Sequence, residues 1–266
     1  MADPPTGAGD PWATRVEAFV DRHYGSLRGR VRTDVIDTHL RDHLPPPPGP
    51  LVDIGGGAGN QALPLARRGY EVTIADPSAA MLERARQALD DEQAGVAANI
   101  TLVQVDGACA VARLGAERFA AVLCHGVIPY VDRPHELVAA LSALCQPGGV
   151  VSIVAKNAAT MASRPALEGR WHDALHSFDA AGEINALGLH TRADTVDGLG
   201  SLLRDHGVDP VTWYGVRLFV EMWAHDRTVD PADEATVYAV ELEASRRDPY
   251  RQLSRLFHLV GTKRHE

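Results

Sequence analysis

Val52-Asp53-Ile54-Gly55-Gly56-Gly57-Ala58-Gly59-Asn60, followed by Ala75-Asp76-Pro77-Ser78, is the stretch whose reading decides the fold. It joins a glycine-rich strand-to-helix turn to an acidic residue at the end of the next strand. Glycines let a backbone approach a ligand closely, and a carboxylate so placed can accept hydrogen bonds from two vicinal ribose hydroxyls. The pairing predicts a nucleoside-cofactor site. Its spacing is not that of a dinucleotide fingerprint, in which G-x-G-x-x-G sets a pyrophosphate on a helix N-terminus. Here Asp53 precedes the glycines and no third glycine falls at the required offset.

Outward from that turn, apolar runs and turn residues alternate in an α/β order. Residues 12 to 44 read as helical, interrupted at Tyr24-Gly25-Ser26, and Pro45 to Pro48 form a stiff linker. Strands are expected at 51–54, 71–75, 100–105, 120–124 and 150–155, with helices at about 61–68, 79–89 and 134–144, the second capped by Ser78. Pro147-Gly148-Gly149 reads as the turn before the fifth strand. Residues 157 to 206 read as irregular and mainly helical; 211–220 and 256–262 read as two final strands with a helix between them.

A chain of 266 residues with 45% hydrophobic content can bury a large core as one domain. Residues 1–50 are expected to cap the site, 51–156 to form the cofactor-binding core, 157–210 to form a lid, and 211–266 to supply the closing strands. Cys109, Cys124 and Cys145 lie in or beside apolar segments and read as core residues of a reducing compartment. Met1 to Pro5 carry neither a basic nor an apolar targeting region, and no window approaches the roughly 18 apolar residues of a membrane span. A cytoplasmic enzyme is the expectation, with no membrane partner. Net charge is −9, so contact with a polyanion would need a local patch, for which Arg22, Arg28, Arg30 and Arg32 are the candidates.

The glycine turn resembles motif I of Rossmann-like methyltransferases, where it cradles S-adenosylmethionine. Further landmarks follow in order: Tyr24-Gly25-Ser26-Leu27-Arg28-Gly29-Arg30-Val31-Arg32, Cys124-His125-Gly126-Val127, Gly215-Val216-Arg217 and Arg255-Leu256-Phe257-His258. Over roughly residues 12 to 262 the chain is similar to the transfer-RNA 5-carboxymethoxyuridine methyltransferases, which esterify the carboxylate of a modified wobble uridine. The resemblance implies a Rossmann-like fold: a mostly parallel seven-stranded sheet, a closing antiparallel pair, an N-terminal helical cap and a helical lid.

It also implies roles. Arg32 would pair with the methionyl carboxylate of S-adenosylmethionine, a guanidinium fork matching that geometry. Asp53, Gly55, Gly56 and Gly57 belong to the turn, with Gly55 and Gly56 against the methionine moiety. Asp76, followed by Pro77, would hold the ribose diol; Met81 would lie against adenine; Asp106, Gly107 and Ala108 would read the adenine edge. His125, at the carboxyl edge of the sheet, would touch the cofactor near its methionine end, with general-base and structural roles as alternatives. Arg217 and Arg255 would orient the acceptor, and Tyr130 or Tyr214 would stack on a base. His190, His206 and His258 show no metal-like spacing and read as surface or packing residues, so no metal is expected.

Departures from the family weaken the substrate assignment. Phe178 to Asn185 stands where a lysine-rich lid run is expected, Pro129 occupies an acidic position, and the segment between Glu243 and Pro249 is two residues short. A methyltransferase of a small carboxylate or hydroxyl metabolite is therefore the alternative to a transfer-RNA enzyme. A non-catalytic binding module is a more distant one.

Overall fold

A computed structural model describes residues 16–20, 24–185, 187–223 and 228–265. The start of the expected cap, residues 1–15, and Arg22 lie outside them. The elements are α1 (Val16–Val20), α2 (Leu27–Arg41), β1 (Pro50–Ile54), α3 (Ala62–Arg67), β2 (Glu71–Asp76), α4 (Ala79–Asp90), α5 (Ala94–Ala97), β3 (Ile100–Gln104), α6 (Ala110–Leu114) and β4 (Phe119–His125). There follow α7 (Pro134–Leu144), β5 (Cys145–Lys156), α8 (Ser163–Leu167), α9 (Trp171–Ser177), β6 (Gly182–Ile184), β7 (His190–Arg192), α10 (Val196–Asp205), β8 (Val208–Val216), α11 (Glu234–Arg246) and β9 (Leu256–Lys263).

Seven strands form one sheet in the order β3-β2-β1-β4-β5-β9-β8. The first five are parallel, while β9 runs antiparallel to both β5 and β8. This is the expected Rossmann-like α/β sheet with its antiparallel closing pair. The strands read as continuous apolar runs because both faces are covered. Val52, Val122 and Ile153 point to a core shared with α7 and α10, whereas Leu51, Leu123 and Val154 point to one shared with α2, α3 and α4. The order reverses between β1 and β4, so the crevice above their carboxyl ends is where an open sheet of this kind takes its ligand.

The interruption at residues 24–26 is a helix start: the Ser26 side chain accepts the Gly29 amide at 3.2 Å and caps α2. Further along, Ile36 and Leu40 are fully buried against the sheet, so α2 belongs to the core as well as to the rim of the site.

Three boundaries differ from the sequence reading. The Pro147-Gly148-Gly149 segment lies within β5, which begins at Cys145 opposite Phe119 and shifts register before Ala121. Strand β8 starts earlier and stops at Val216, because Arg217 takes a left-handed backbone, φ 60°, which ends the ladder. The expected lid is not wholly helical, since β6 and β7 pair as a hairpin. Its turn is held by Asn185, whose Oδ1 accepts the amides of Leu187 and Leu189 at 2.9 and 3.0 Å. Cys124 and Cys145 are buried, but Cys109 is exposed at the start of α6, correcting its assignment to the core. Among the described residues no helix is long and apolar enough to cross a membrane.

Candidate functional site

The glycine turn leaves β1 with Gly55 and Gly57 at φ 67° and 54°, a region closed to most side chains. A Cβ on Gly55 would stand 2.3 Å from Val127 Cγ2, and one on Gly56 would stand 2.9 Å from Asp53 Cγ. The turn is thus pressed between the loop after β4 and its own strand. Asp76 ties it to the neighbouring loop: Oδ2 accepts the Gly57 amide at 2.9 Å and Oδ1 accepts that of Ser78 at 2.8 Å. A carboxylate oxygen has two lone pairs, so each retains acceptor capacity for a ligand.

Above the turn lies a cavity of about 450 Å³ whose walls include Gly55, Gly57, Asp76, Pro77, Met81, Asp106, Gly107, Ala108 and His125. The sequence reading placed all nine at the cofactor. Gly56 and Asp53 are not on the walls; Asp53 is buried beneath Gly56, and its Oδ1 has no hydrogen-bond partner. Burial pushes the Asp53 carboxyl up to about 7, Arg32 opposing the rise and Asp76 adding to it. Asp106 shapes its own turn, since its Oδ1 accepts the Ala108 amide at 2.9 Å. The walls suit S-adenosylmethionine: an acid for the ribose, bare backbone for the methionine part, and Met81 with a tight loop for adenine.

A second cavity of about 440 Å³ adjoins the first, and Tyr24, His125, Gly126 and Tyr130 line both. Two chambers with one partition suit a group transfer, because a donor and an acceptor can be held separately with only their reacting ends in contact. Arg32 lies in the second chamber, with Nη2 3.4 Å from the His125 carbonyl oxygen and its guanidinium 6.0 Å from the Tyr24 ring. Tyr130 receives a hydrogen bond from Asn185 Nδ2 at 3.1 Å, which links the β6–β7 turn to the partition.

The second chamber is strongly charged. Its lining includes six cations, Arg32, Lys156, Arg164, Arg170, Arg217 and Arg255, against three carboxylates, Glu168, Glu183 and Glu221. Arg217 and Arg255, expected to face an acceptor directly, are both ion-paired: Arg217 to Glu221, and Arg255 to Glu183, which also takes Lys156 at 2.9 Å. Arg217 keeps one buried donor, Nε, without a partner. Glu221 is pushed up by burial, but Arg217, Arg28, Arg255 and Arg164 outweigh that and hold it below the ordinary carboxylate range.

Other expectations are corrected. Tyr214 is not on either chamber's wall; its ring stacks on His39 at 4.0 Å and its hydroxyl meets His43 Nε2 at 2.8 Å. The arginines near the N-terminus do not form a free patch among the described residues. Arg28 turns to the carbonyls of Val220 and Trp223, Arg30 pairs with Glu234 at 2.7 Å, and Arg32 enters the second chamber. Tyr24 at the partition was quoted in the sequence but given no role. His258, read as ordinary packing, is fully buried and hydrogen-bonded towards the site. The signal for it was a histidine inside the otherwise apolar run of a buried strand.

Comparison with known proteins agrees with the fold. Residues 52–151 match the family model described as a methyltransferase domain. A magnesium protoporphyrin IX methyltransferase of Synechocystis, solved with S-adenosylhomocysteine, superposes with a TM-score of 0.62 at 15% identity, covering 95% of each chain. The 1,6-didemethyltoxoflavin-N1-methyltransferase of Burkholderia thailandensis gives 0.54 at 16% identity, covering 99% of this chain and 94% of that one. The chain is a Rossmann-like, S-adenosylmethionine-dependent methyltransferase. More narrowly, it is similar to the tRNA 5-carboxymethoxyuridine methyltransferase of Escherichia coli, 27% identical over 258 residues, which span 93% of this chain and 94% of the relative.

Proposed function

We propose that the enzyme methylates an anionic acceptor held in the second chamber, a carboxylate of the kind carried by wobble 5-carboxymethoxyuridine. The observation that carries this reading is the charge of that chamber, six cations against three carboxylates within a chain of net charge −9. The similarity to the E. coli enzyme supports it independently. S-adenosylmethionine supplies a methyl group already activated as a sulfonium, so the protein has mainly to align the two reactants. Asp76, Pro77, Met81, Asp106, Gly107 and Ala108 hold the nucleoside part, and Gly55 and Gly57 admit the methionine part. Arg32 reaches for its carboxylate across the partition, with Asp53 and Gly56 supporting the turn from behind. Arg217 and Arg255 attract the acceptor anion, and Tyr130 flanks it.

Arg32→Lys is expected to rescue cofactor affinity poorly compared with Arg32→Ala, because an ammonium cannot reproduce a two-point fork. Calorimetry with S-adenosylhomocysteine checks it, and full affinity in the lysine variant would remove the bidentate contact.

A carboxylate acceptor is ionised at neutral pH and needs no base. Turnover should be flat from about pH 6 to 8 once Asp53→Asn removes the one wall-supporting group pushed to about 7. A hydroxyl acceptor relying on His125 as general base would lose activity as the imidazole protonates, ordinarily near about pH 6.5. That limb belongs further towards acid, because burial, then His258 and Arg32, hold the imidazole well below its usual range. The decisive experiment therefore supplies labelled S-adenosylmethionine with either total transfer RNA or a small-metabolite extract and asks which gains label. Base-labile label in transfer RNA, lost in Arg217→Ala at saturating cofactor, is the expected result. Label confined to the small-metabolite pool would replace the RNA substrate with a small one. That second reading is favoured by the exposed Phe178 and Ile184 in the lid segment that stands where a lysine-rich run is expected.

A further inference from the structure

A chain of hydrogen bonds runs from the partition between the chambers, through the sheet, to α11. His125 Nε2 lies 2.8 Å from Ser152 Oγ, which lies 2.7 Å from His258 Nε2. His258 Nδ1 lies 3.3 Å from His39 Nδ1, His39 Nε2 lies 2.8 Å from Ser245 Oγ, and Ser245 Oγ lies 2.6 Å from the Leu242 carbonyl oxygen. Ser152, His258 and His39 are fully buried and Ser245 nearly so.

The far end of this chain decides where every proton sits. A carbonyl oxygen can only accept, so Ser245 donates its hydrogen to Leu242 and its oxygen accepts from His39 Nε2–H. A neutral imidazole has one donor and one acceptor, so His39 Nδ1 is bare and accepts from His258 Nδ1–H. His258 Nε2 is then bare and takes the Ser152 hydrogen, which leaves the Ser152 oxygen to accept from His125 Nε2–H. All three rings are neutral: burial first, then neighbouring charge, pushes His39 down to about 2 and His258 to about 3, with His125 also well below its usual value. The remaining ring nitrogen, His125 Nδ1, is buried and has no protein partner.

We propose that Ser152, His258, His39 and Ser245 are positioning residues that lock His125 as the Nε2–H tautomer, with a bare and buried Nδ1, and so fix its ring at the partition between the chambers. The lock follows from the apoprotein alone and does not depend on which acceptor the enzyme uses.

Nitrogen-15 spectra of histidine-labelled enzyme test it. The expected result at pH 7 is a protonated Nε2 and a bare Nδ1 at His125. A protonated Nδ1, or a doubly protonated ring, overturns the proposal whatever the variants do. Ser152→Ala cuts the chain beside His125 and should mix its tautomers. It should also lower kcat/KM by about tenfold, the lower end of the loss seen when the partner orienting a metal-bound histidine is removed. Ser152→Thr keeps the hydroxyl and should restore both. A Ser152→Ala enzyme that folds with an unchanged His125 spectrum would equally defeat the lock.

Discussion

Asp76→Ala should lose most of its affinity for S-adenosylhomocysteine, a rise in Kd of about ten- to a hundredfold for the loss of one charge-assisted acceptor, worth about 1.5–3 kcal/mol. The geometry makes the loss larger than a ligand contact alone would. Asp76 also holds the Gly57 and Ser78 amides, so its removal leaves two donors of the cofactor loops unsatisfied and slackens both. Asp76→Asn should be hardly better. Both carboxylate oxygens accept from N–H groups, and an asparagine would present its own NH₂ to one of them. Calorimetry on folded variants checks this; an asparagine variant with near-normal affinity would mean that the loops do not depend on the second oxygen.

Glu221→Gln should be the most destabilising change near the second chamber. Glu221 is buried and faces Arg217, Arg164 at 3.4 Å and Arg28 at 3.9 Å. Removing the charge leaves three guanidinium groups close together, and breaking a buried pair of this kind costs about 3–5 kcal/mol. In a chain of this size that is a fall in Tm of about 5–9 °C. The sign with pH follows from the carboxyl being held below its ordinary value. Its contribution is fully present above the unfolded-state pKa and is lost as pH falls through the folded one. The gap in Tm between Glu221→Gln and the parent should therefore be widest near neutrality and close in acid. A gap that persists in acid would show that packing, not charge, is what the substitution damages.

What sequence reasoning could reach depended on how far apart the cooperating residues lie. The five parallel strands were legible because each is a short, mainly apolar run between turn residues. The cofactor turn was legible because its glycines and Asp76 act within a single βαβ unit. Arg255 pairs with Glu183, and His258 reaches His125 through Ser152; no local pattern links such distant residues. The β6–β7 hairpin escaped for another reason, its three-residue strands being too short to show an alternation. Arg217 was read into a strand because a left-handed non-glycine residue is rare enough that no sequence rule anticipates one.

The contrast between an acidic exterior and a cationic chamber has a kinetic consequence. A polyanionic acceptor is repelled while it is distant and held once it is inside. Added salt screens charges separated by more than a Debye length, about 10 Å at 0.1 M, and screens buried pairs far less. Moderate ionic strength should thus speed the arrival of such an acceptor while scarcely loosening its grip, so that kcat/KM rises before it falls. A basic nucleic-acid-binding surface would give a monotonic decline.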